Sequence, residues 1–224
     1  MKQTKSMVQA LSMEYDVSMF KRKPFYSFIK RIADIVLSSL VLICFSWLYL
    51  ILWLLVKLTS KGPGFYGHDR IGKNGKKFKI WKFRSMKIDN RPLEEIFTKE
   101  QMEEYKRDFK VTNDPRITKI GKFLRKTSLD ELPQFWNVFI GQMSFVGFRP
   151  ILEEEYEKYG NNKELLTKLR PGITGYWASH GRSLTSYDDR IKMELYYSVK
   201  FSFWLDIRII WHTFIGVLKS EGAK

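Results

Sequence analysis

Residues 127–136 read TSLDELPQFW, which sets two carboxylates, Asp130 and Glu131, side by side between leucines. Acids in such a place serve as solvated surface, a helix cap, a metal site or a catalytic pair. Capping has two registers. With Ser128 as N-cap, Glu131 is the reciprocal partner of a capping box, but Pro133 then falls where a backbone N–H must donate. With Asp130 as N-cap, Pro133 falls in the first turn and no bond is lost.

The neighbours of the pair favour chemistry. Arg116, Lys119, Lys122, Arg125 and Lys126 precede it, Arg149 follows in SFVGFRP, and Arg70, Lys82 and Arg84 lie upstream. A carboxylate among cations stays ionised at neutral pH. The same cations can bind a diphosphate and stabilise charge on a leaving group. An aspartate can attack phosphorus, and an adjacent glutamate can hold Mg²⁺, which takes oxygen ligands and bridges substrate phosphates.

Composition points the same way. The chain has 224 residues, with 39 Lys and Arg against 24 Asp and Glu, so it expects an anionic partner. Its apolar content of 44% supports a packed core. The single cysteine, Cys44, excludes an internal disulfide. His68, His180 and His212 match no zinc spacing. Gly67-x4-Gly72-Lys73 resembles a phosphate loop, but Asn74 stands where Ser or Thr is required, and the glycines read as turn residues.

The elements that must carry these residues begin with an apolar run. From Ile35 to Val56 there is no charge, and only Ser38, Ser39 and Ser46 are not apolar. As one helix the run is about 33 Å long, close to the bilayer hydrocarbon thickness. Basic residues flank both ends, which disfavours pushing either end outward. A helix that enters, bends and returns avoids that cost. No proline lies in the run, and Ser46 and the Ser38–Ser39 pair are weaker bending candidates. From these residues alone, spanning and re-entrant forms both stay open. Beyond it, Asn74-Gly75 predicts a two-residue hairpin turn. Residues 91–109 predict one amphipathic helix, 151–159 a second, and a third runs towards Pro171. Residues 185–200 and 201–218 predict two more, the last suited to a membrane interface. The expected organisation is a polar arm over 1–25, a membrane-inserted helix over 26–60 and a cytosolic catalytic region over 61–224.

The chain resembles the bacterial sugar transferases, monotopic phosphoglycosyl transferases. The stretches that carry the resemblance are KRIAD (30–34), GPGFYGHDRIGKNGKKFKIWKFRSM (62–86), DPRITKIGKFLRKTSLDELPQFWNVFIGQMSFVGFRP (114–150), LRPGITGYWASHGRS (169–183) and YYSVKFSFWLDIRI (196–209). The resemblance implies transfer of a hexose 1-phosphate from a UDP-sugar to a polyprenyl phosphate, as the first step of surface glycan assembly. It implies that Asp130 is the nucleophile that expels UMP and that Glu131 is the Mg²⁺ ligand. Arg149 is implied as a phosphate clamp, Lys82, Arg84 and Arg116 as further polar site residues, and Arg170, Arg182 and Asp206 as residues lining the same site. The implied fold is α+β and mostly helical. It has a hydrophobic re-entrant membrane helix, interfacial amphipathic helices, and a small catalytic domain with a short β-hairpin on the cytoplasmic face of the bacterial inner membrane. The chain departs from the family at Trp47, Gln142, Phe148 and Ala178. A rival reading is a non-enzymatic basic adaptor for anionic lipid or nucleic acid. It gives no reason for adjacent acids among cations, so no nucleic acid is expected. The oligomeric state is not legible in the residues.

Overall fold

The apolar run forms two helices instead of one. In a computed structural model describing residues 10–108, 111–180 and 185–218, α1 (Pro24–Cys44) and α2 (Ser46–Thr59) are separated at Phe45 and bent by 63°. The break falls next to Ser46, one of the weaker bending candidates. Ser38 and Ser39 do back-bond to carbonyls of Asp34 and Ile35, yet α1 runs through them unbroken. Among the described residues no single helix is long and apolar enough to cross a membrane, whereas the bent pair together is.

The chain divides into two compact units that interleave along the sequence: Met1–Cys44, Gly67–Ile80 and Gln134–Lys224 in one, Phe45–Tyr66 and Trp81–Pro133 in the other. The hairpin of β1 (Phe65–Ile71) and β2 (Lys77–Phe83) has its turn end in the first unit and its open end in the second. Its turn takes three residues instead of two. Gly72 N–H donates to the Lys76 carbonyl at 2.8 Å around Lys73–Gly75, with Asn74 and Gly75 at positive φ.

In the second unit, α3 (Leu93–Ile96) and α4 (Lys99–Asp108) replace the single helix expected over 91–109. Thr98 and Gln101 form a reciprocal capping box that starts α4 afresh. Helix α5 (Lys119–Thr127) is capped by Thr118, whose Oγ1 accepts from Gly121 N–H at 2.9 Å, and ends at Ser128 in the left-handed region. Gly121 packs so closely on Ser85 that a Cβ would lie 1.8 Å from its carbonyl oxygen. Leu52, Val56, Phe83 and Leu124 form the core that fastens α2, β2 and α5 together.

In the first unit, α6 (Gln134–Phe139) packs on α1. A short parallel pair joins β3 (Ser144–Val146) to β4 (Gly172–Thr174). Gly147 and Gly172 meet here. A Cβ on Gly147 would lie 2.2 Å from the Arg170 carbonyl oxygen, and one on Gly172 would lie 2.2 Å from Gly147 N. The glycines of VGFRP and RPGITG are thus backbone-contact residues. Helices α7 (Glu153–Glu157), α8 (Lys163–Thr167), α9 (Tyr176–His180), α10 (Tyr187–Lys200) and α11 (Phe203–Leu218) complete the unit. Tyr176, Tyr197, Met193 and Phe201 are its central buried residues. Within the stretch expected as a polar arm, Ala10, Leu11, Tyr15 and Phe20 pack on this core. Helix α11 leaves Phe203, Trp204, Ile207, Ile210, Trp211 and Phe214 exposed.

Candidate active site

The acidic pair lies in a single 3₁₀ turn, Leu129–Glu131, between α5 and α6. Neither capping register is adopted. Ser128 makes no side-chain cap bond, and Pro133 lies just before α6. Its ring cannot donate there and no ladder bond is lost. Asp130 and Glu131 are therefore not held in place by a helix-capping duty. The turn is braced by Tyr49, whose hydroxyl donates to the Leu132 carbonyl at 2.5 Å.

Successive residues of the turn face different surroundings. Asp130 is buried, at 8% exposure. Glu131 is reached by Lys82 of β2, whose ammonium donates to Oε1 at 2.5 Å. Burial pushes the Asp130 carboxyl above the ordinary aspartate range; Lys82 opposes this, Glu131 adds to it, and Arg125 opposes it. Cations alone lead one to expect a firmly ionised group. Here desolvation outweighs them. Arg125, named in the sequence only as one basic residue among several, is fixed by donating from Nε to Ser85 Oγ at 2.9 Å. A buried carboxylate within electrostatic reach of two cations, with a second, half-exposed carboxylate next in sequence, can bond to phosphorus when a diphosphate brings its own charge to the cations.

The other predicted residues have different employment. Arg84 is 4% exposed and aims at the C-terminal end of α2, donating to the carbonyls of Ser60 at 2.7 Å and of Lys61. Gly62 makes room for it, since a Cβ there would lie 2.1 Å from Arg84 Nη1. Arg116 forms a forked pair with Asp114, with Nη2 2.7 Å from Oδ2. In the first unit, Arg149 follows β3. Its backbone N–H donates to Glu194 Oε1 at 3.1 Å, and its guanidinium lies 5.7 Å from the Trp177 ring centre. Arg170 precedes β4 and donates from Nε to the Gly141 carbonyl at 2.7 Å. Asp206 is a buried hub that accepts from Tyr26 and Tyr197 hydroxyls and the Lys30 ammonium at 2.6–2.7 Å. Arg182 lies outside the described residues.

The match to known proteins covers almost all of this framework. Residues 25–220 match the bacterial sugar transferase family. The chain belongs to that family. It is 44% identical over 200 residues to an undecaprenyl-phosphate galactose phosphotransferase of Salmonella typhimurium, covering 88% of this chain and 42% of that protein. Over 193 residues it is 43% identical to a UDP-glucose:undecaprenyl-phosphate glucose-1-phosphate transferase of Klebsiella pneumoniae, covering 82% and 39%. With an exopolysaccharide production protein of Rhizobium meliloti it shares 41% identity over 204 residues, covering 90% of both. The chain thus spans about two fifths of the first two relatives and most of the third.

Within this family member the donor set for a divalent cation is small. No cluster of three or more His, Cys, Asp or Glu that could hold a metal is found among the described residues. Half-exposed Glu131 is the carboxylate whose chemistry suits Mg²⁺, which commonly takes one or two carboxylates and completes its shell with substrate phosphate and water. Sequence reasoning passed over Glu194 and Asp34. Asp34 accepts from Ser144 Oγ at 3.1 Å and from Phe145 N–H at 3.0 Å, tying α1 to β3. It ends the KRIAD stretch at the head of the apolar helix, where no role was assigned to it.

Proposed function

We propose that the chain transfers a hexose 1-phosphate from a UDP-sugar to a polyprenyl phosphate through a covalent intermediate on Asp130. An Asp130 carboxylate oxygen attacks the β-phosphorus. The bond from that phosphorus to the bridging oxygen breaks, and UMP leaves with the bond's electron pair. The resulting aspartyl phosphosugar is then attacked at phosphorus by an oxygen of the lipid phosphate, which yields the lipid diphosphosugar and frees Asp130. Lys82 and Arg125 hold negative charge near the aspartate, and Glu131 positions Lys82 through the 2.5 Å pair. Mg²⁺ held by Glu131 would neutralise phosphate charge during the transfer.

One observation carries this reading: a buried aspartate that no cap or ion pair claims among the described residues, with the charges of Lys82 and Arg125 acting on it. The relatives named for galactose and glucose transfer to undecaprenyl phosphate support the substrate classes. The reaction belongs at the cytoplasmic face of the bacterial inner membrane, with the bent α1–α2 pair as a re-entrant anchor and α11 in the interface. Its place in metabolism is the initiating step of exopolysaccharide or another surface glycan.

The test is UMP release by the full chain in detergent with a polyprenyl phosphate, a panel of UDP-hexoses, and Mg²⁺ or EDTA. Asp130→Asn is expected to abolish release and the covalent adduct seen by intact-protein mass. Near-normal turnover in Asp130→Asn would overturn the covalent route, and full activity in EDTA would remove Glu131's metal role.

A further inference from the structure

The first unit contains a cleft of about 420 Å³ at the foot of α1. Its walls include Arg22, Lys30, Arg31, Lys73, Lys168 and Arg170, as well as Lys23, against one carboxylate, Asp34. Two of these cations are neutralised nearby, Lys30 by Asp206 and Lys168 by Glu164. Among the described residues the other five form no ion pair. Arg31 donates to the carbonyls of Val138 and Phe139, Arg170 to that of Gly141 and Lys23 to that of Phe201. Carbonyls orient these groups without cancelling their charge. Burial, and then Arg170 and Arg22, hold the Lys73 ammonium below its usual range. Like charges have been gathered where they repel one another, so the cleft gains by admitting an anion.

Two further observations select the kind of anion. The aromatic rings in the wall are already packed: Phe20 stacks on Phe201, and Tyr26 lies against Phe201 and Phe203. Tyr26 and Tyr197 are buried and Phe20 is half-buried, which leaves little ring surface for a nucleobase. Helix α1 carries an exposed apolar stripe away from the cleft, through Phe25, Phe28, Ile32, Val36, Leu40 and Ile43. A cationic foot beneath an apolar stripe suits a molecule with a phosphate at one end and a hydrocarbon chain at the other.

The geometry points to this cleft as a binding site for the phosphate head of a lipid. The lipid is either a polyprenyl phosphate monoester, which rests on the transferase reading above, or a phosphodiester headgroup of the bilayer, which does not. Arg22 and Lys73 are its most accessible contacts, because both are exposed and no hydrogen bond or ion pair within the described residues holds either side chain.

The test titrates the full chain in uncharged detergent micelles with farnesyl phosphate, without any donor sugar. Replacing both residues (Arg22→Gln with Lys73→Gln) is expected to weaken binding roughly 30-fold, about fivefold for each cation. Lys99→Gln with Lys106→Gln removes the same charge from exposed α4 and should change binding less than about threefold. Phosphatidylglycerol micelles that displace farnesyl phosphate would assign the site to bilayer lipid; failure to displace would assign it to the monoester. Either result supports the cleft. The inference is overturned if the Arg22/Lys73 variant binds normally, if both double variants weaken binding alike, or if inorganic phosphate or UMP competes as well as the lipid does. Asp130→Asn should bind farnesyl phosphate normally while losing turnover, which separates failure of the covalent route from failure of this site.

Discussion

Glu194 offers the sharpest test of how charge is arranged in the first unit. It is 1% exposed on α10, and burial raises its carboxyl from an ordinary 4.5 to about 7. Arg190, the Arg149 backbone N–H and the Arg149 charge pull the other way, while Glu155 adds to the rise. Oε1 accepts from Arg149 N–H, and Oε2 has no hydrogen-bond partner. Arg190 is itself paired with Glu155 at 2.9 Å, so it is not Glu194's alone. The sign follows directly. Between 4.5 and about 7 the folded chain keeps a proton that the unfolded chain has lost, so stability falls as pH rises through that window and is level above it. The full loss is about 3 kcal/mol. Glu194→Gln keeps an acceptor for Arg149 N–H and cannot ionise. Any fixed cost of the amide is the same at both ends of the window, so the comparison between pH 5 and pH 8 isolates the charge. Relative to wild type, the variant should gain about 2–3 kcal/mol over that interval, or roughly 5–10 °C in Tm for a chain of this size. Thermal unfolding in detergent followed by circular dichroism reads it. Parallel pH profiles for the two proteins would refute a buried, ionisable Glu194.

Other outcomes follow from the second unit. Lys82→Met should lower kcat/KM for UMP release by about 10²-fold and, since the Glu131 pair is partly exposed, change stability by less than about 1 kcal/mol; a large loss of stability with intact turnover would make it a structural residue. Arg84→Met should do the reverse, costing about 2 kcal/mol in urea unfolding because part-buried carbonyls just past the end of α2 lose their donor. Unchanged stability with abolished turnover would instead put Arg84 in the site. Wild-type turnover should fall as pH is lowered through the raised Asp130 carboxyl value, since only the ionised oxygen attacks; in Lys82→Met that fall should begin at higher pH, and an unmoved profile would mean that Lys82 does not act on Asp130.

Much of the helical framework was legible, because periodicity and caps are local. Helices α10 and α11 fall within two residues of the limits read from the sequence, and the hairpin turn centres on Asn74-Gly75. The misses have local causes too. Thr98 and Gln101 restart a helix whose charge pattern looks continuous. The break at Phe45 has no proline to announce it. The parallel pairing of β3 with β4 joins segments 28 residues apart at their first paired residues, Ser144 and Gly172, and is too short for an alternating pattern to register.

The candidate site shows a different limit. Lys82, Arg84, Arg116 and Arg125 are all cations near the acidic pair in sequence or motif, and composition treats them alike. What separates them is the acceptor each one meets. Arg84 meets the bare carbonyls of a helix end, Arg116 meets Asp114 two residues away, and only Lys82 and Arg125 bear on Asp130. A cation with a buried acceptor of its own has little left to offer a substrate phosphate, because withdrawing it exposes an unsatisfied group. The useful question about a basic residue is therefore which acceptor it would have to abandon. By that measure Lys82, whose partner Glu131 is half-exposed, stays free to serve the aspartate, Arg125 is held by Ser85 and acts through its charge alone, Arg22 and Lys73 suit an incoming anion, and Arg84 holds the end of α2.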